Sequence, residues 1–195
     1  MTLDQFIDRY DKEDAVVLLE GKRKVREDDK EKLIALGKLL ASRTEKMIFR
    51  SGNAEGADNY FFKGASEIDK SRLQVITPYA GHRKKANLAY ETISLDEIDL
   101  PPDSPVVVQS KKNKKVANLI DLYLKEGRNR LTVKALYLLR DTLKVVGTDG
   151  IPPAKVGIFY VDLKSPESGG TGHTIKICKL NDVPVIDQRT WLGWL

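Results

Sequence analysis

Residues 46–58 read KMIFRSGNAEGAD, and this stretch decides the fold class. A short apolar run passes straight into a glycine-bearing turn. Beyond it, Ala57, Tyr60, Phe61, Gly64, Ala65 and Ile68 fall on one helical stripe. A buried strand entering an amphipathic helix through such a turn is the repeating half-unit of a parallel sheet. Working outward, residues 14–20 (DAVVLLE) give a buried strand that ends at Gly21. The helix after it carries Leu33, Leu36, Gly37 and Leu40 at i, i+3, i+4 and i+7, with Asp28 or Asp29 as its cap. Residues 73–77 (LQVIT) form a third strand, closed by Pro78. Downstream, residues 105–109 (PVVVQ) resume the strand pattern, and Val116, Leu119, Ile120 and Tyr123 mark another helix. Residues 131–143 continue as helix, with the tail LKVVG open to either helix or strand. Residues 155–161 (KVGIFYV) are a strong buried strand. A loop, SPESGGTGH, leads into a helix to about residue 179, and residues 183–186 close the sheet. The expected fold is α/β, a Rossmann-like three-layer sandwich with a mostly parallel central sheet.

At 195 residues the chain fits one domain spanning 1–195, with an irregular excursion at about 79–104 around Pro101 and Pro102. That excursion holds a helix of its own or forms a lid. Hydrophobic content of 41% with 31% charged residues fits a soluble protein, and no apolar run approaches the length of a bilayer span. The start, MTLDQFIDRYDKED, lacks the pattern of a secretory signal. One cysteine, Cys178, excludes an internal disulfide, so a cytoplasmic location is expected. Two histidines and that cysteine, without ligand spacing, make no metal site. The net charge of +5 favours an anionic partner. The one dense basic run, Lys111-Lys112-Asn113-Lys114-Lys115, has no interleaved aromatic residue and reads first as a solvated segment.

Ligands in open α/β sheets gather at the carboxyl ends of strands, and two glycine-rich loops occupy such junctions. The first contributes Ser51, Gly52, Asn53, Ala54, Gly56 and Asp58; the second contributes Gly169, Gly170, Thr171, Gly172, His173 and Thr174. Glycines let the backbone approach a ligand, and each following helix aims free amides and its dipole at the loop. Gly21, Lys22 and Arg23 follow the first strand, where the two cations can reach a phosphate. Asp58 accepts ribose hydroxyls or complements the helix dipole. Arg140 and Asp141 line the site or form a structural ion pair. If the protein is an enzyme, His173, Asp58 and Arg140 are the catalytic candidates, His173 because its pKa lies near neutrality. His82 belongs to the excursion, Cys178 reads as a buried small hydrophobe, and Trp191 and Trp194 pack on the domain or on a second subunit. Neither loop is a Walker A motif or a dinucleotide fingerprint.

Taken in order, the first strand ending in Gly-Lys-Arg, then SGNAEGAD, then LLRDTLKVVG, then SGGTGHTIKI resemble the SLOG superfamily of Rossmann-like proteins. That superfamily includes the lysine-decarboxylase-like phosphoribohydrolases, the DNA-processing DprA proteins, molybdenum-cofactor carriers and nucleotide-sensing domains. The likeness runs from about residue 15 to 185 and is nearest to small uncharacterised bacterial and phage members. It implies a nucleotide or phosphorylated nucleotide derivative held across both loops, commonly in a homo-oligomer. The phosphoribohydrolase signature, Gly-Gly-x-Gly-Thr-x-x-Glu, meets His173 at its threonine position and Lys176 at its catalytic glutamate. A lysine cannot stabilise a ribosyl cation as a carboxylate does. The expected function is therefore nucleotide binding, in sensing or carriage. A hydrolase of an N-glycosidic or phosphate bond is the alternative, and a DprA-like protein binding single-stranded DNA is the third.

Overall fold

The computed structural model describes residues 1–195. Its elements are α1 (Leu3–Tyr10), β1 (Val16–Gly21), α2 (Glu27–Arg43), β2 (Ile48–Ser51), α3 (Ala57–Ser66), β3 (Leu73–Thr77) and β4 (Glu91–Ser94). They continue as α4 (Pro105–Lys111), α5 (Lys114–Glu126), α6 (Val133–Val146), β5 (Ala154–Tyr160), α7 (Gly169–Leu180), β6 (Val185–Asp187) and α8 (Gln188–Trp191). The six strands form one sheet in the order β4-β3-β2-β1-β5-β6, and every pairing is parallel. Alternate residues of β1 explain the layering. Val17 and Leu19 face a core built with α1, α2, α3 and α8, while Val16 and Leu18 face one built with α7. A third cluster, around Ile76, joins α4, α5 and α6 on that second face. The fold is the expected Rossmann-like three-layer sandwich, with a sheet that is wholly parallel. No helix is long and apolar enough to cross a membrane.

The chain winds outward from β1 to β4, then returns to the other side of β1 for β5 and β6. The loops leaving β1 and β5 therefore diverge, and a crevice opens between them. The loops leaving β1 and β2 are drawn together instead, because α2 and α3 pack unusually closely. A Cβ built on Gly64 would lie 1.9 Å from the carbonyl oxygen of Ile34, and one on Gly37 would lie 2.1 Å from that of Phe61. Gly64→Ala is expected to force the helices apart at a cost of about 1–3 kcal/mol. The corresponding fall in Tm is roughly 2–4 °C per kcal/mol, measurable by thermal denaturation.

Several local expectations need correcting. Residues 105–109 are helical, not a strand. Ser104 accepts the Val107 N–H and Pro105 occupies the first turn, so a capped start overrides the β-branched run PVVV. The excursion at 79–104 contains β4, whose short and mostly exposed sequence ETIS carries no buried-strand pattern. Helix α2 begins after Arg26, and neither Asp28 nor Asp29 is its cap. Asp29 accepts the Tyr160 hydroxyl at 2.7 Å instead. The tail LKVV stays helical up to Gly147, which takes φ +68. The second glycine segment is the first turn of α7 and not a loop, with Ser168 as N-cap. Helix α1, closed by a capping box between Thr2 and Gln5, was not foreseen in the sequence. Both tryptophans pack on the chain itself. Trp191 is fully buried and donates to the Phe159 carbonyl, and the Trp194 ring lies 5.1 Å from Phe6.

Candidate functional site

A cavity of about 650 Å³ fills the crevice between β1 and β5. Gly21 and Tyr160 pair at the ends of those strands, and beyond them the chain supplies Lys22 and Arg23 on one side and Asp162 on the other. The wall opposite is the first turn of α7, through Ser168, Gly170 and Thr171. Ser168 makes no side-chain cap, and no acidic residue stands in that turn. The first amides of α7 therefore keep their hydrogen-bonding capacity and their dipole for a ligand.

The loop after β2 shapes the cavity more than it lines it. Asp58 is buried in the first turn of α3. Its Oδ1 accepts the Gly21 N–H at 3.0 Å, and its Oδ2 accepts the Ser51 hydroxyl at 2.9 Å and the Ala54 N–H at 3.3 Å. Both oxygens are engaged, so the carboxylate clamps the two loops together. The Ala57 N–H donates to the Lys22 carbonyl across the same junction. Gly56 makes this crossing possible, for it takes φ +84 and a Cβ there would meet the Arg23 carbonyl oxygen at 2.1 Å. Ser51, Gly52 and Asn53 lie behind the cavity, and Ala54 and Asp58 reach it.

The floor comes from α6 and the end of β1, and it is charged. Arg140 donates to Asp141 Oδ1 through Nε at 3.1 Å and Nη2 at 2.8 Å, and to the Gly52 carbonyl at 2.6 Å. Lys144 bonds Asp141 at 2.9 Å and pairs with Glu20. Arg50, fully buried, holds the carbonyl of Lys144 at 3.0 Å and so fixes α6 against β2. Burial pushes the Glu20 carboxyl up to about 7; Lys144 opposes this, while Asp58 and Asp141 add to it. Burial acts against the Asp141 charge as well, yet Arg140 and Lys144 outweigh it and hold that carboxyl low. Glu20 and Lys144 were missed in the sequence. The available signals were an acid ending an all-apolar strand and a lysine four residues after Arg140 in an apolar helix.

Residues of α7 divide by face. Gly170, Thr171 and Thr174 line the cavity, whereas His173 and Lys176 border a separate cleft on the far side. His173 is buried, its Nε2 is 3.1 Å from the Thr142 hydroxyl, and burial lowers its pKa. General acid or base chemistry by His173 inside the cavity therefore has no geometric basis. Gly169 lies at the mouth, and Gly172 is buried in the first turn of α7.

Beside the cavity is a smaller cleft of about 250 Å³, which shares Arg23, Ala54 and Arg140 with it and adds His82 and Tyr137. The rings of Tyr79, His82 and Tyr137 meet edge to face at 5.0–6.5 Å, and the Arg128 guanidinium lies 3.8 Å from the Tyr79 centroid. Burial, reinforced by Arg140, Arg83 and Arg23, brings the His82 pKa down to about 4, so its ring is neutral at pH 7.

No protein-family model matches the chain, and no curated protein is similar in sequence. Among solved structures, the chain is similar to DNA processing protein A from Helicobacter pylori, described for its single-stranded DNA binding mode. The TM-score is 0.50 at 15% identity, over 92% of this chain and 67% of that one. At this identity the likeness is one of fold: a Rossmann-like domain of the kind found in DNA processing protein A.

Proposed function

We propose that the cavity between β1 and β5 binds a nucleotidyl group. Its phosphate sits against Lys22, Arg23 and the first turn of α7, and its base lies in the cleft of His82 and Tyr137. The observation that carries this reading is the position of the cavity. It occupies the switch point of a parallel sheet, under an uncapped helix start and two cations that form no ion pair in the protein. The segments that resemble the SLOG superfamily supply Ala54 and Asp58 on one side and Ser168, Gly169, Gly170, Thr171 and Thr174 on the other, which supports the same reading. Binding is favoured over hydrolysis because the buried charges of the floor are engaged with one another and the histidine of α7 faces elsewhere. Incubation with a panel of nucleotides, NAD and ADP-ribose tests this. A saturating ligand at a hundredfold its Kd adds about 2.7 kcal/mol, a Tm rise of roughly 5–10 °C, and no base or phosphate is released. Release of either would favour the hydrolase, and an unchanged Tm with every nucleotide would remove both.

A second reading takes the nucleotidyl group as part of single-stranded DNA. The likeness to DNA processing protein A and the net charge of +5 favour it. Its mark is affinity that grows with oligonucleotide length and falls steeply with salt.

A further inference from the structure

Across α7 from the nucleotide cavity lies a second cleft, of about 480 Å³. One wall carries Lys112, from the turn between α4 and α5, with Lys114 and Lys115 from the start of α5; the other carries Lys176 and Lys179, from α7. The only carboxylate bordering the cleft is Glu167, and it pairs with Lys179 at 2.6 Å and Lys176 at 3.9 Å. Five lysines against one glutamate leave a formal charge of +4 there. Lys111, by contrast, faces away and is paired with Asp121. Lys112, Lys114 and Lys115 are exposed and form no ion pair. Lys114 and Lys115 also stand in the first turn of α5, which has no acidic residue and no side-chain cap at Asn113. A helix start favours anions, so two lysines there add to an unbalanced positive field. At the base of the cleft His173 is 3% exposed, and its Nδ1 has no hydrogen-bond partner.

We infer that this cleft is a track for the phosphodiester backbone of single-stranded DNA leaving the nucleotide cavity. The inference rests on the second reading of that cavity. Three features specify the occupant. The cleft holds no arginine, whose fork would suit one tightly held phosphate; lysines on flexible stems suit a chain of phosphates instead. It holds no Phe, Tyr or Trp, and its one imidazole, that of His173, is 3% exposed, so it offers no open ring face on which a base would stack. It also adjoins the cavity around the start of α7, because Glu167 borders the cleft and its chain neighbour Ser168 borders the cavity. Helix α7, about 18 Å long, forms the ridge between the two.

The test uses the full chain, a twelve-residue thymidine oligonucleotide and thymidine monophosphate, in fluorescence anisotropy and competition across a salt series. The variant combines Lys112→Gln, Lys114→Gln and Lys115→Gln, at exposed positions whose replacement leaves the fold intact. Its affinity for the oligonucleotide is expected to fall about tenfold, and its log–log salt slope to become less negative by about 2, from roughly 0.7 per lost phosphate contact. Affinity for the monophosphate should not change. Wild-type affinity and slope in the variant would overturn the track while leaving the cavity reading in place. If the wild-type chain is stabilised by mononucleotides but binds no oligonucleotide, the track and the DNA reading fall together and nucleotide binding stands.

Discussion

Lys144→Met is expected to destabilise the protein by about 3–5 kcal/mol, because it strips a buried carboxylate pair of one of its two cations. For a chain of this size that is a fall in Tm of roughly 6–20 °C. The loss should depend on pH, and its sign follows from Glu20. That carboxyl titrates near 4.5 when exposed and near 7 in the folded protein, so the folded state holds its proton more tightly. The stability tied to that proton is complete below about 4.5 and is lost as pH rises through about 7. Lys144 acts to lower the Glu20 pKa, so removing it raises that pKa further. The deficit of Lys144→Met relative to wild type should therefore shrink between pH 8 and pH 5.5, as Glu20 takes up a proton and one buried charge disappears. Denaturant titrations at both pH values measure this. A deficit that stays constant would mean that removing Lys144 leaves the Glu20 pKa where it was.

Thr171→Glu should abolish nucleotide binding while sparing the fold. Thr171 is the third residue of α7, and Ser168 is its N-cap. A glutamate there stands in the first turn of α7 and complements the helix dipole, for a gain of about 0.3–1 kcal/mol. The same side chain brings a carboxylate to the wall where the phosphate is proposed to sit. Like charges in such contact cost several kcal/mol, so affinity should drop at least about a hundredfold. Tm without ligand should hold or rise, and the rise on adding nucleotide should vanish. Retained affinity in this variant would move the phosphate away from α7. The two outcomes run in opposite directions, so misfolding cannot mimic the expected result.

Much of this was legible from local pattern. The run VVLLE, the stripe beginning at Ala57 and the alternation of strands with helices report burial on both faces of a sheet, and the sheet is parallel throughout. The glycine segments were legible as strand-to-helix junctions because the chain turns there whatever its neighbours are. PVVVQ misled because β-branched residues were weighed above the Ser-Pro start that made them a helix. The site was only half visible. Lys22, Arg23, Gly170 and Thr171 do line a cavity, but Asp58 turned out to be a clamp between loops, and His173 faces the other side of α7.

The sequence by itself determined which segments are buried, their period, and where the backbone turns sharply enough to admit a phosphate. Only the tertiary structure decided which neighbour each buried face meets. It set Glu20 of β1 against Lys144 of α6, and Lys114 and Lys115 of α5 across from Lys176 and Lys179 of α7. The reason is physical. Hydrophobic periodicity records that a face leaves water but carries no address for its partner, and a charge acquires its meaning from the opposite or like charge that the fold brings beside it.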